Sequence, residues 1–348
     1  MSIRDRFNAE AAKRILITDG AFGTEIQNWK LDEAAYAGDL GLPHDQKGNN
    51  DILAITKPEV PETITRAYLD AGSDIVSTNT FSANLISQAD YGAEHLVRAI
   101  NVQSGRIARR LADDYAAKDG RPRFVAGAIG PTNKTLSLSP DVNDPGYREI
   151  TFDYLKDVYR EQIDALVEGG VDFILIETVF DTLNAKAGIM AAIEAGEALG
   201  RDLPIMLSMT LTDLSGRNLS GHTVEAFWHA VRHARPVTIG LNCSFGAEQL
   251  RPHVKTLAAI ADTLIMIYPN AGLPNELGEY DEMPATTAGL VGEWAVAKQV
   301  NVLGGCCGST PAHIKAMADG VRGLAPRAVA TPEVRTKLAG LEPFTMAA

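Results

Sequence analysis

The stretch "FILIET" at residues 173–178 sets four apolar residues in an unbroken row and closes them with a carboxylate and a threonine. An uninterrupted apolar run of this length reads as a strand buried on both faces, the pattern of a parallel sheet covered by helices. Seven further runs share the pattern: "RILITDG" (14–20), "DIVSTNT" (74–80), "FVAGAIG" (124–130), "IMLSMT" (205–210), "TIGLNCS" (238–244), "LIMIYPN" (264–270) and "NVLGGCC" (301–307). Helical patterns lie between them, such as "EQIDALVEGG" (161–170), "NAKAGIMAAIEAG" (184–196) and "EQLRPHVKTLAAIA" (248–261). Eight strands alternating with helices in a chain of 348 residues predict a closed (β/α)8 TIM barrel, in preference to an open doubly wound sheet. The barrel is expected over residues 1–326 as a single domain, with residues 327–348 as an extended C-terminal arm. Two long connections, 28–57 and 130–150, are expected to be functional or lid-like.

Bulk composition narrows the function. The net charge is −12, which repels a phosphate backbone and excludes nucleic acid as a partner. The N-terminus "MSIRDRFNAEAAKR" is charged throughout and lacks the apolar core of a signal peptide. No apolar run reaches the length of a membrane span. Three cysteines cannot all pair with one another, so a reducing, cytoplasmic setting is expected.

Polar residues gather at the ends of the runs: Asp19 and Gly20, then Thr78 to Thr80, Glu177 and Thr178, Asn242 to Ser244, Asn270, and Cys306 with Cys307. In a (β/α)8 barrel these ends meet at one mouth. All three cysteines therefore converge there. Three thiolates suit a soft tetrahedral metal, zinc above all, with a fourth position left open for catalysis. So electron-rich a ligand set favours holding a further thiol as a thiolate over activating water. The implied reaction is attack of a substrate thiolate on an electrophilic carbon. Two other readings stay open at this point: cysteines that are simply buried, and a strained disulfide between Cys306 and Cys307. Adjacent cysteines cannot both face one metal from a regular strand, so the flanking glycines are expected to let the chain turn.

The turn after the first strand, Asp19–Gly20–Ala21, offers backbone N–H groups to a carboxylate. Asp19 and Glu177 can each pair with an ammonium group, so together these residues read both ends of an α-amino acid. A carboxylate at the end of an apolar run, as at Glu177, is seldom buried without a partner or a role. His229 and His233, spaced i, i+4, are read as a solvated helix face.

"DGAFGTEIQ", "LNCS" and "GGCCGSTPAHI" resemble the homocysteine S-methyltransferases, zinc (β/α)8 barrels. "KGNNDIL", "GPTNKT", "SPDVNDPGYREITFD", "LIETVFDTLNAKA" and "PNAGLPNELGEYD" carry a closer resemblance to the N-terminal homocysteine-binding module of cobalamin-dependent methionine synthase. The likeness covers about residues 12–326. It implies Cys243, Cys306 and Cys307 as zinc ligands. It assigns Asp19, Gly20 and Ala21 to the amino-acid backbone of homocysteine, Glu177 to its ammonium, and Asn242 to a supporting polar role. Asn270 is expected to fill the fourth zinc position when homocysteine is absent.

The chain carries no D-x-H-x-x-G, the pattern by which such enzymes hold cobalamin. Methylcobalamin is thus expected on a partner chain, a cobalamin- and folate-binding methionine synthase subunit, the chain being a split subunit or a fragment. The alternatives are a self-contained methyltransferase that uses S-methylmethionine or betaine, and a homocysteine-binding subunit without turnover. A zinc hydrolase is disfavoured by the all-sulfur ligand set.

Overall fold

The computed structural model describes residues 1–331 and 334–347. Eight parallel strands form one sheet: β1 (Leu16–Ile17), β2 (Ile75–Ser77), β3 (Phe124–Ile129), β4 (Phe173–Val179), β5 (Ile205–Met209), β6 (Thr238–Gly246), β7 (Leu264–Asn270) and β8 (Val302–Leu303). Each pairs with its sequence neighbour, and β1 pairs with β8. A parallel bridge between Thr18 and Ile75 joins β1 to β2, and the Asp74 N–H donates to the Ile17 carbonyl, so the ring closes. The expected barrel is present, and each apolar run coincides with one of its strands, β4 and β6 continuing one and two residues past theirs.

Within the runs the faces alternate. Phe173 and Leu175 pack into the barrel interior with Phe124, Met206, Met266 and Tyr268. Ile174 and Ile176 belong to the outer cluster beneath the helices. Both faces are apolar, which is why the sequence shows no period of two. Parity then decides what enters the mouth. Glu177 follows Phe173 and Leu175 inward, and Asn270 follows Leu264, Met266 and Tyr268.

Helix Ile3–Ala11 closes the far end of the barrel. It opens with a capping box between Ser2 and Asp5, and its Phe7 is fully buried. The Phe7 ring meets Phe124 and Phe173 edge-on, with centroids 5.3 and 4.9 Å apart. The expected helices are Phe152–Glu168, Thr182–Leu199 and Ala247–Ile260.

Gly240 shows how tightly β6 meets β7. A Cβ there would lie 1.6 Å from the Met266 carbonyl oxygen. Gly240→Ala should cost about 3 kcal/mol or more, the upper end of overpacking. Gly289→Ala, in helix Pro284–Val296 with open space around the position, should stabilise by a few tenths of a kcal/mol up to about 1. Denaturant midpoints of the two variants check the contrast.

The connection 28–57 is not a bare lid. It holds helices Glu33–Ala37 and Leu53–Thr56 with a 3₁₀ turn at Asn50–Ile52. Buried amides pin it: Asn49 Nδ2 donates to Gln88 Oε1 at 2.9 Å, and Gln88 Nε2 donates back to Asn49 Oδ1 at 3.1 Å. The connection 130–150 is irregular and is tied by Arg148 to the Leu136 and Ser137 carbonyls. In the arm, β9 (Lys337–Ala339) and β10 (Pro343–Thr345) form an antiparallel hairpin. The hairpin docks where the Thr223 N–H donates to the Leu341 carbonyl and Arg217 pairs with Glu342. Among the described residues, no helix is long and apolar enough to cross a membrane.

Candidate active site

The carboxyl ends of the strands surround a cavity of about 670 Å3, lined by Asp19, Gly20, Glu177, Cys243, Cys306 and Cys307 among others. Strand-end residues far apart in sequence thus share one cavity. The three sulfurs lie within 4.8 Å of one another. Cys243 Sγ and Cys307 Sγ are 3.7 Å apart. Tetrahedral zinc with bonds of about 2.3 Å places its sulfur ligands about 3.8 Å apart, so the spacing fits that ion. All three cysteines are free thiols, and no bond joins Cys306 to Cys307.

Electrostatics agree with the fit. Hydrogen bonds from Cys243 and Cys306 hold the Cys307 thiol down at about 3. The same contacts, with burial, drive the Cys306 thiol well above its ordinary value. Three thiolates this close cannot share the site without a cation, which a divalent metal could supply.

Local backbone turns the sulfurs inward. β6 carries an irregularity between Asn242 and Gly246, where Cys243 and Ser244 take left-handed φ of 61° and 59°. After β8 the chain leaves strand geometry at Gly304. Two of the three glycines there serve a different purpose from the expected one. Gly304 and Gly305 are not left-handed; their lack of Cβ admits the Thr18 and Ser309 side chains, which would stand 2.2 Å from an added carbon. Only Gly308, at φ 78°, needs glycine's conformational freedom.

Two carboxylates face the sulfurs. Glu177 is pushed up to about 8, chiefly by burial and then by the charges of Asp19 and Cys307, against a hydrogen bond from Tyr268. The Tyr268 hydroxyl donates to Glu177 Oε2 at 3.1 Å. Asp19 is pushed up to about 6 by burial, although it accepts the Ser77 N–H at 2.6 Å. Each carboxylate lacks a basic partner among the described residues, so an arriving ammonium would relieve both.

Gly20 sits against Ser309 and Tyr68, where a Cβ would lie 2.6 Å from the Ser309 carbonyl oxygen. The Ala21 N–H is taken by that same carbonyl at 3.1 Å, so, against expectation, it is not free for a substrate carboxylate. Ala21 is followed by helix Phe22–Asn28, whose start has no side-chain cap. Asn242 does not line the cavity; it is 1% exposed, with its amide engaged by Thr178, Ser208 and Cys306. Asn270 is 2% exposed, and its Oδ1 has no hydrogen-bond partner. It stands beside the paired cysteines, since the Cys306 N–H donates to the Pro269 carbonyl and the Ala271 N–H to the Cys307 carbonyl.

The histidines do not form a pair. His229 has a side chain only 2% exposed in helix Val224–Val231, whereas His233 is exposed in the 3₁₀ turn that follows. The expected solvated face holds for His233 alone, because the inward side of that helix packs on the barrel. Three residues that sequence reading passed over belong to the site. Tyr268 and Ser208 share the inward parity of Asn270 and of Met206, and Asp51 lines the cavity with a carboxyl raised by burial to about 7. Strand parity was the available signal for the first two.

A model of the homocysteine S-methyltransferase family matches residues 16–321. The fold is similar to that of the homocysteine methyltransferase MmuM from Escherichia coli. Against its metallated form the TM-score is 0.69 at 22% identity, covering 90% of this chain and 98% of that one. Against its oxidised form the TM-score is 0.68 at 22% identity, covering 88% and 95%. With the family model spanning most of the barrel, the chain belongs to the homocysteine S-methyltransferase family.

Proposed function

We propose that this barrel is a zinc-dependent homocysteine S-methyltransferase module that takes its methyl group from methylcobalamin carried on a separate, cobalamin- and folate-binding chain in the cytoplasm, and so makes methionine. One observation carries the chemistry: three thiols within 4.8 Å of one another share a cavity with Asp19 and Glu177, carboxylates that lack cationic partners among the described residues.

Cys243, Cys306 and Cys307 are the proposed zinc ligands, and Asn270 Oδ1 is the proposed occupant of the fourth position before substrate arrives. Bound there, zinc would keep the substrate thiol deprotonated and nucleophilic at neutral pH. Glu177 and Asp19 receive the ammonium, and the turn at Gly20 receives the carboxylate, the Ala21 N–H being held by the Ser309 carbonyl. Tyr268 holds Glu177 in place, and the sulfur end of the substrate then lies toward the cysteines. The chain's contribution is orientation of the nucleophile. The corrinoid would supply the activated methyl group.

Support for an external donor comes from the motifs shared with the methionine synthase module and from exposed apolar side chains on loops after the strands. Phe81, Leu273 and Leu277 are 40%, 51% and 82% exposed. The cavity favours a second reading. Its 670 Å3 exceeds one amino acid, leaving room beside homocysteine for a small donor such as S-methylmethionine. Zinc-loaded protein and homocysteine, mixed separately with methylcobalamin and with S-methylmethionine, decide between them. Methionine formed with the first alone supports the proposal. Steady turnover with the second alone overturns it in favour of a self-contained enzyme, and methionine from neither donor points to a binding subunit.

A further inference from the structure

Both halves of the site rest on backbone distortions, and a single buried side chain joins them. β4 is irregular between Ile176 and Val179, where Thr178 takes a φ of 55°. A left-handed conformation is a genuine outlier for a β-branched residue and costs about 1–3 kcal/mol. The irregularity follows directly on Glu177. β6 is irregular at Cys243 and Ser244, directly after Asn242.

The Asn242 amide spans the two. Its Oδ1 accepts the Thr178 N–H at 3.1 Å and the Ser208 hydroxyl at 2.6 Å. Its Nδ2 donates to Thr178 Oγ1 at 2.8 Å and reaches Cys306 Sγ at 3.9 Å. Asn242 therefore touches or abuts three parts of the site: the turn behind Glu177, the turn that presents Cys243, and the sulfur of Cys306.

We infer that Asn242 is a positioning residue, a clasp that sets the cysteine triad and the Glu177 carboxylate as one unit and so couples metal retention to recognition of the substrate's ammonium. The inference rests on the homocysteine reading of the cavity. Satisfying a buried amide does not require that its partners be functional; this one fixes both polar atoms of a strained Thr178 and supports a sulfur as well.

The test separates the two halves. L-norvaline has the α-amino-acid ends of homocysteine and nearly its length, but no sulfur, so its binding to zinc-free protein reports the carboxylate half alone. Loss of zinc to a chelator reports the other half. Asn242→Ala should speed zinc loss by about 10- to 100-fold and weaken norvaline by about tenfold in the absence of metal. Thr178→Val, which keeps the shape and removes only the Oγ1 acceptor, should move both readouts the same way by less, and Thr178→Ser should leave both near wild type. Thr178→Val carries the test if Asn242→Ala does not fold. Faster zinc loss with unchanged norvaline affinity, in either variant, would overturn the clasp. A wild-type protein that holds zinc but binds no norvaline would instead overturn the substrate reading beneath it.

Discussion

Cys306→Ala protein should lose its zinc on purification and make methionine at least about a thousandfold more slowly than wild type. The sulfur removed is one of three packed within 4.8 Å, and the only one supported by the Asn242 amide. Two remaining thiols can still meet a metal, but the half-buried place of the third offers only a methyl group. Metal-assisted activation contributes several kcal/mol, and about 4 kcal/mol is three decades in rate. Without the metal, a homocysteine thiol with a pKa near 8.5 stays mostly protonated at neutral pH. Metal analysis of the purified protein and methionine formation with the active donor measure both effects. Full zinc content and ordinary activity in the variant would remove Cys306 from the ligand set.

The second large effect is expected at Glu177. Glu177→Gln should weaken homocysteine by about 100-fold, in line with the 2–5 kcal/mol of a buried charge pair that loses one partner, while zinc content stays at the wild-type level. The same substitution should flatten the pH dependence of binding. In the unliganded protein, burial raises Glu177 to about 8 and Asp19 to about 6. A protonated carboxyl cannot pair with an ammonium. Homocysteine affinity should therefore rise as pH climbs from about 6 to about 8, with protons released on binding in that window. The folded state has the opposite slope: it binds more protons than the unfolded chain between the ordinary carboxylate range and these raised values, so these groups make the unliganded protein less stable as pH rises. In Glu177→Gln only the Asp19 part, near pH 6, should survive. Calorimetric titration in buffers of different ionisation enthalpy reads both the affinity and the protons. Equal loss of zinc and homocysteine would contradict the proposed division of roles.

Much of this site is readable because barrel topology turns sequence position into place. Once the eight apolar runs are taken as barrel strands, Glu177, Cys243, Asn270 and the Cys306–Cys307 pair must share one end. Runs apolar on both faces hide the inward parity, and with it Tyr268 and Ser208. The residues around Cys306 show another limit. Glycines beside adjacent cysteines read as conformational freedom, whereas Gly304 and Gly305 are small because the Thr18 and Ser309 side chains press on them. Close approach between distant segments leaves no mark on local sequence.

The amino-acid sequence alone determined the number and order of the strands, the mouth at which the cysteines meet, and the all-sulfur character of the proposed metal site, because each depends on residue type and spacing along the chain. Tertiary structure alone decided the left-handed turns at Thr178 and Cys243, the raised carboxyls of Asp19 and Glu177, and the hydrogen bonds of Asn242. Those properties arise from contacts across neighbouring strands and from exclusion of water, and neither exists until the barrel closes.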